Sequence, residues 1–437
     1  MHNLPNTARI SELSLPGTHD TLSFHGGDAV QTQSLPLTVQ LNAGIRVLDI
    51  RARHIQNSFA IHHGSVFQNA FFGDGVMKPV TLFLRANPSE TVLIRLKEEY
   101  DPTNNSRSFA DTFLAYMASH DSDLQATYGT YVWRPHGTTN PPLSQVRGRI
   151  IFMLEPSRFT SAQMTAWGIP YEDSSLMSVQ DNYNLSTNWD LYGKWESVMG
   201  HLHAADRGNR NLIYINYLSG SGGSFPYFVA SGHSSPGTTA PRLSTGLTTP
   251  GWDSSYPDFP RVDCFIGICT IAFEGTNTLT KDYLQAGRVG FSGIVMADFP
   301  GDGLIGAIIS RNRLNPFPIK SQFNGKCLDM DMGSSNVQVW DCGGGANQQW
   351  TYDNATGVIR TLASDKCLDA AAPHGNAYMG PCHSGANQRW DLLPSGEIRD
   401  RAYGQCLDIF AFNNSNGANV QMYGCIGASN QRWRRSL

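Results

Sequence analysis

A chain of 437 residues exceeds one ordinary domain, so two or more are expected. A net charge of −4, with only 16% charged residues, offers no basic face for nucleic acid and no polybasic run for anionic membranes. No apolar run reaches membrane-spanning length, while 40% hydrophobic residues suffice for sizeable cores. Met1-His2-Asn3 reads as a recombinant start on a processed chain.

Leu13 and Leu15 alternate with Ser14 as a short strand, which Pro16-Gly17 breaks; His19 and Asp20 follow at its mouth. A histidine there can reach a ligand and titrates near neutrality. Pro36 to Asn42 is expected to be helical, as is Val80 to Arg85. Arg46–Arg51, Ser58–Gly64, Thr91–Lys97, Arg149–Glu155, Ser178–Tyr183, Asn211–Tyr217 and Gly293–Asp298 read as strands. Apolar strands separated by helical segments predict a mainly parallel α/β sheet or barrel, whose strand C-termini line the active face. Asp49, His63, Lys97, Asp181 and Asp298 fall at or near such ends.

Two histidines from different strand ends suggest an acid–base pair, and an aspartate beside a histidine fixes its tautomer. Asp298, Asp20 and Asp49 can supply that carboxylate. Arg51 shares a strand face with Asp49, where a guanidinium can hold a phosphate. The plain alternative is a set of barrel-rim salt bridges. His62 is read as structural, and His25, His54, His201 and His203 as surface or packing residues without sequence partners. Phe67 to Phe72 and Phe225 to Phe228 are placed in loops. Taken singly each phenylalanine reads as core; taken together they form an apolar rim for a lipid surface.

From Ser14 to about Asn312 the chain resembles the bacterial phosphatidylinositol-specific phospholipases C. The resemblance runs through Leu15-Pro16-Gly17-Thr18-His19-Asp20, Leu48-Asp49-Ile50-Arg51-Ala52-Arg53, His62-His63-Gly64, Asn87-Pro88-Ser89-Glu90-Thr91, Leu96-Lys97-Glu98-Glu99-Tyr100, Val179-Gln180-Asp181-Asn182-Tyr183, Ile215-Asn216 and the segment around Asp298. It implies a distorted TIM-type barrel with no metal and no cofactor. It also implies phosphatidylinositol, or a glycosyl-phosphatidylinositol, as substrate at a membrane surface. His19 would be the general base, oriented by Asp298. His63 would be the general acid, supported by Asp20. Arg51, fixed by Asp49, would stabilise the transition state, and Lys97, Asp181 and Tyr183 would bind the inositol ring. Where the family carries a basic residue after the Ile150–Leu154 strand, this chain has Glu155-Pro156. Either Arg158 takes over that contact or the headgroup contacts differ. Other readings are a metal-dependent glycerophosphodiester or sphingomyelin phosphodiesterase on the same barrel, which a cationic Arg51 opposes, and a catalytically inactive lectin, which both histidines oppose.

At Asn315-Pro316-Phe317-Pro318 the composition shifts, giving expected domains 1–315 and 316–437. Cys327-Leu328-Asp329 recurs at Cys367 and Cys406, and Gln348-Gln349-Trp350 recurs as Gln-Arg-Trp at Gln388 and Gln431, a period of about 40 residues. Cys327/Cys342, Cys367/Cys382 and Cys406/Cys425 each fall within one repeat, which favours disulfides and an oxidising, secreted setting. Cys264 and Cys269 are spaced either to bridge or to serve as core thiols. The repeats resemble the all-β ricin-type β-trefoil lectins. That resemblance implies sugar sites at Asp329, Gln338, Trp340 and Asn347, and at Asp408, Gln421, Tyr423 and Asn430. The second repeat has Tyr378 and Gly380 instead and is read as structural. Glycans are thus expected partners of a monomeric chain.

Overall fold

In the computed structural model, side-chain alternation along each strand decides what the first unit buries. The structure describes all residues except 2–3, 235–240, 251, 313–315, 354–355, 365 and 436–437. Residues 6–312 form one unit and 313–437 a second, so the expected boundary at Asn315 lies outside the described residues. Among the described residues no helix is long and apolar enough to cross a membrane.

The first unit is built on β1 (Leu15–Thr18), β2 (Val47–Ile55), β3 (Ser58–His63), β4 (Val66–Phe71), β5 (Thr91–Glu98), β6 (Arg149–Leu154), β7 (Gly168–Pro170), β8 (Met177–Gln180), β9 (Ile213–Tyr217) and β10 (Ile294–Ala297). The order is β8-β9-β10-β1-β2-β5-β6-β7, all parallel. β7 and β8 follow one another in sequence but do not pair, so the barrel is open there and the fold is a distorted TIM barrel. Leu48, Ile50, Leu96, Ile94, Phe152 and Leu154 pack with the helices Leu37–Ala43 and Lys78–Ala86 into one core. Residues of opposite parity (Asp49, Arg51, Arg95, Lys97) therefore share the other face. Register places Asp49 beside Arg95 and Arg51 beside Lys97. Gly17 is required in β1, because a Cβ there would lie 2.9 Å from the Val47 carbonyl oxygen.

Two features depart from the expected parallel strands. β3 runs antiparallel to β2, pairing Ile61 with Ala52, and β4 returns antiparallel to β3. The Phe67 to Phe72 segment is thus largely strand rather than loop. Phe67 and Phe71 are exposed, while Phe72 is core. Phe225 is exposed, and Phe228 is buried in the short helix Pro226–Ser231. Beyond that helix, Ser244–Pro250, Arg261–Phe265 and Ile268–Ala272 form a small antiparallel sheet. Cys264–Cys269 bridges its second hairpin, and Phe265 and Ile266 stand exposed at the tip.

The second unit repeats one four-stranded motif three times in antiparallel strands. Trp350, Trp390 and Trp433 are buried, and their indole N–H groups donate to the carbonyls of Leu328, Leu368 and Leu407. Gln348, Gln388 and Gln431 donate to Asp329, Asp369 and Asp408 at 2.9, 2.7 and 3.0 Å. The Gln-x-Trp signature is thus a core device in each repeat. The bridges Cys327–Cys342, Cys367–Cys382 and Cys406–Cys425 are formed.

Candidate active site

β10, β1, β2 and β5 are neighbours, so their C-terminal ends converge. His19 follows β1 and Asp298 follows β10, and the two meet at 2.8 Å through His19 Nδ1. On the other side of the ring, Arg51 Nη2 lies 2.7 Å from His19 Nε2. A guanidinium can only donate, so Nε2 holds a lone pair and Nδ1–H donates to Asp298. Burial and then Arg51 hold the imidazole pKa well below its usual value, so the ring is neutral. Burial, then the nearby Asp20, pushes the Asp298 carboxyl well up. Tyr217 packs edge-on against the His19 ring at 5.9 Å.

Asp20 adopts a left-handed backbone conformation (φ 42°), which aspartate tolerates. Its carboxylate lies 2.5 Å from Arg51 Nε, 3.5 Å from His19 Nε2 and 3.6 Å from His63 Nδ1. Burial pushes its pKa up to about 6 against the pull of Arg51. Asp49 is fully buried 3.3 Å from Arg51 and 3.6 Å from Arg95. Burial alone would raise its pKa, but those two cations hold it well below the carboxylate range. His63 reaches the cluster by the hairpin return of β3, and its Nδ1 lies 3.1 Å from Ser23 Oγ.

Lys97 is half-buried 3.6 Å from Glu99. Asp181 and Tyr183 follow β8 on an exposed turn closed by a Tyr183 N–H to Asp181 carbonyl bond of 3.0 Å. Arg158 is not brought to this face. It pairs at 2.6 Å with Glu98, whose parity turns it away from Arg95 and Lys97. Glu155 instead meets Arg95, a residue sequence reasoning missed, at 3.0 Å. Arg95 also donates to the Tyr217 hydroxyl and stacks 4.1 Å from the Tyr171 ring. Glu99 was missed as well. It accepts from the Gly64 N–H at 3.0 Å and lies 3.8 Å from Arg51, tying the His63 turn to the guanidinium. Residues 95, 97 and 99 alternate onto one face, so strand parity was the available signal. His54, His201 and His203 do have partners, in Thr112, Ser178 and Tyr283.

One oxygen or nitrogen each from His19, Asp20 and Asp49 lie within 4.8 Å of one another, a spacing compatible with a cation. Arg51 Nε lies between both carboxylates and already supplies that positive charge.

In the second unit, Asp329 accepts from Gln338 at 3.0 Å and Asn347 at 2.8 Å beside a half-exposed Trp340. Asp408 accepts from Gln421 at 3.1 Å and Asn430 at 2.9 Å beside a half-exposed Tyr423. Asp369 keeps Asn387 at 2.7 Å, but Gly380 provides no ring at the equivalent strand position.

Residues 14–155 match the X domain of phosphatidylinositol-specific phospholipase C, and residues 315–433 match the ricin-type beta-trefoil lectin domain. A 1-phosphatidylinositol phosphodiesterase of Listeria monocytogenes is 32% identical over 230 residues, covering 50% of this chain and 67% of that protein. One from Staphylococcus aureus is 26% identical over 279 residues, covering 58% of this chain and 85% of its own. The solved phosphatidylinositol-specific phospholipase C from Listeria monocytogenes superimposes with a TM-score of 0.50 at 25% identity, over 72% of this chain and 98% of that one. With the barrel, the convergent histidines and these relatives together, the chain belongs to the bacterial 1-phosphatidylinositol phosphodiesterase family and carries a ricin-type β-trefoil domain.

Proposed function

We propose that this chain cleaves phosphatidylinositol without a metal, by internal transfer at phosphorus, to diacylglycerol and inositol 1,2-cyclic phosphate. The observation that carries this reading is the neutral His19, held by Asp298 on one nitrogen and facing Arg51 with the other. His19 Nε2 takes the proton of the inositol 2-hydroxyl, whose oxygen attacks phosphorus. The phosphate enters between the imidazole and Arg51, drawing the guanidinium onto its non-bridging oxygens. His63, oriented by Asp20, gives a proton to the departing diacylglycerol oxygen as the P–O bond breaks. Lys97, Asp181 and Tyr183 hold the ring; Asp49 and Glu99 fix Arg51. Exposed Phe67, Phe71, Phe225, Phe265 and Ile266 suit a peripheral encounter with lipid. The expected product is a cyclic phosphodiester, seen by phosphorus NMR in equal yield with and without chelator. A linear phosphomonoester as first product, or none at all, would refute this route.

The trefoil directs the enzyme to glycans, with one sugar stacked on Trp340 and another on Tyr423. Four disulfides suit an extracellular setting. Trp340→Ala with Tyr423→Ala is expected to lower retention on a glycan surface by more than tenfold beyond either change alone, because two weak sites act through effective concentration. A glycan array reads this out directly: binding that survives the double substitution would reduce the domain to a spacer.

A further inference from the structure

Lys194 stands outside the roles assigned so far. It lies near the start of the helix Leu191–Arg207 and is only 1% exposed. A buried ammonium needs acceptors or counter-charges, since desolvation disfavours it strongly. Among the described residues it makes a single hydrogen bond, 3.4 Å to Gln180 Oε1. Gln180 ends β8 immediately before Asp181. Its Oε1 also accepts from the Asn182 N–H at 2.7 Å, and its amide donates to Asn216 and to the Tyr217 carbonyl. Tyr217 in turn packs on His19. The lysine thus sits under the turn carrying Asp181 and Tyr183, on a polar chain that leads to the His19 ring.

We propose that Lys194 is a positioning residue for the reaction: a buried cation, seated on Gln180, that fixes the end of β8 and so holds the turn carrying Asp181 and Tyr183 in place for ring binding. This rests on the phospholipase reading above. Burial pulls the Lys194 pKa down to about 8, while Asp181 and then Asp298 pull it back up. The effect is reciprocal at Asp298, where Lys194 and Arg51 oppose the rise caused by burial, Asp20 and Asp49. Asp181 also faces Arg95, Arg51 and Asp49.

The test uses the full chain with inositol 1,2-cyclic phosphate and with phosphatidylinositol in mixed micelles. Lys194→Met is expected to raise the KM for the cyclic phosphate about tenfold, as ring binding is lost. Its kcat is expected to change far less than its KM, since the turn is displaced and the acid–base pair is not. Lys194→Arg keeps the charge and a donor for Gln180, so it is expected to recover part of the ring binding that Lys194→Met loses. Adding Asp181→Asn to Lys194→Met should raise KM little beyond Asp181→Asn alone, which a merely structural lysine would not produce. A folded Lys194→Met with parental KM overturns the proposal. Should that variant fail to fold, Gln180→Ala with parental KM overturns it equally, because it removes the seat of the lysine. A parent enzyme inert on both substrates refutes the phospholipase reading instead.

Discussion

Replacing either His19 or His63 with alanine is expected to lower phosphatidylinositol turnover by about 10²–10⁴-fold, the usual loss when a positioned base or acid is removed. The two losses should not add, since base and acid serve one transfer. His19 is the more constrained of the two: both ring nitrogens are engaged, at 2.8 Å to Asp298 and 2.7 Å to Arg51. His19→Ala therefore also strips Asp298 of its hydrogen-bond donor, and a melting curve should accompany the rates. In the parent, kcat/KM should fall as pH drops through about 6. There Asp20 takes up a proton and loses the charge that orients His63. Near-parental rates from either folded variant would eliminate the two-histidine scheme.

Arg51→Asp is expected to abolish metal-free turnover, a loss of at least about 10²–10³-fold when a preorganised charge at the phosphate is removed. The change does more than delete a donor. It places a third carboxylate beside Asp20 and Asp49, which already approach His19 closely enough for a cation. Calcium should therefore restore part of the activity of the variant, while chelator leaves the parent unchanged. Because removing one member of a buried charge cluster commonly costs about 3–5 kcal/mol, Arg51→Lys serves as the folded control. Parental activity that disappears with chelator and returns with a divalent ion would shift the assignment to a metal-dependent phosphodiesterase.

The parallel strands were legible because their apolar runs end in charge, and parity then put Asp49, Arg51 and Lys97 on one face. The Cys-Leu-Asp and Gln-x-Trp repeats carried the trefoil, since each signature residue fills the same core position three times. What stayed hidden depended on contacts between distant segments. His63 was expected as the general acid, but the hairpin that brings it to the cluster was not, because hydrophobic pattern does not distinguish antiparallel return from parallel advance. Arg95 was passed over inside an apolar run, where a lone cation gives no hint of the Glu155, Asp49 and Tyr217 that surround it. Arg158 was the nearer basic residue in sequence but turned to the opposite side of β5. Lys194 sits in a helix of mixed polarity, and only the packed structure shows that it is buried.

The disulfides fall unevenly across the two units, and this makes the units unequal toward thiols. In the trefoil each repeat closes a loop between cysteines 15, 15 or 19 positions apart. On the chain-entropy account, each such closure restrains the unfolded chain by about 3 kcal/mol. The barrel has its single bridge at the tip of a small accessory hairpin, across only five positions and outside the ring of parallel strands. A reducing environment would therefore loosen the trefoil unit first, leaving a chain whose parallel strands are intact while its three-repeat unit is not.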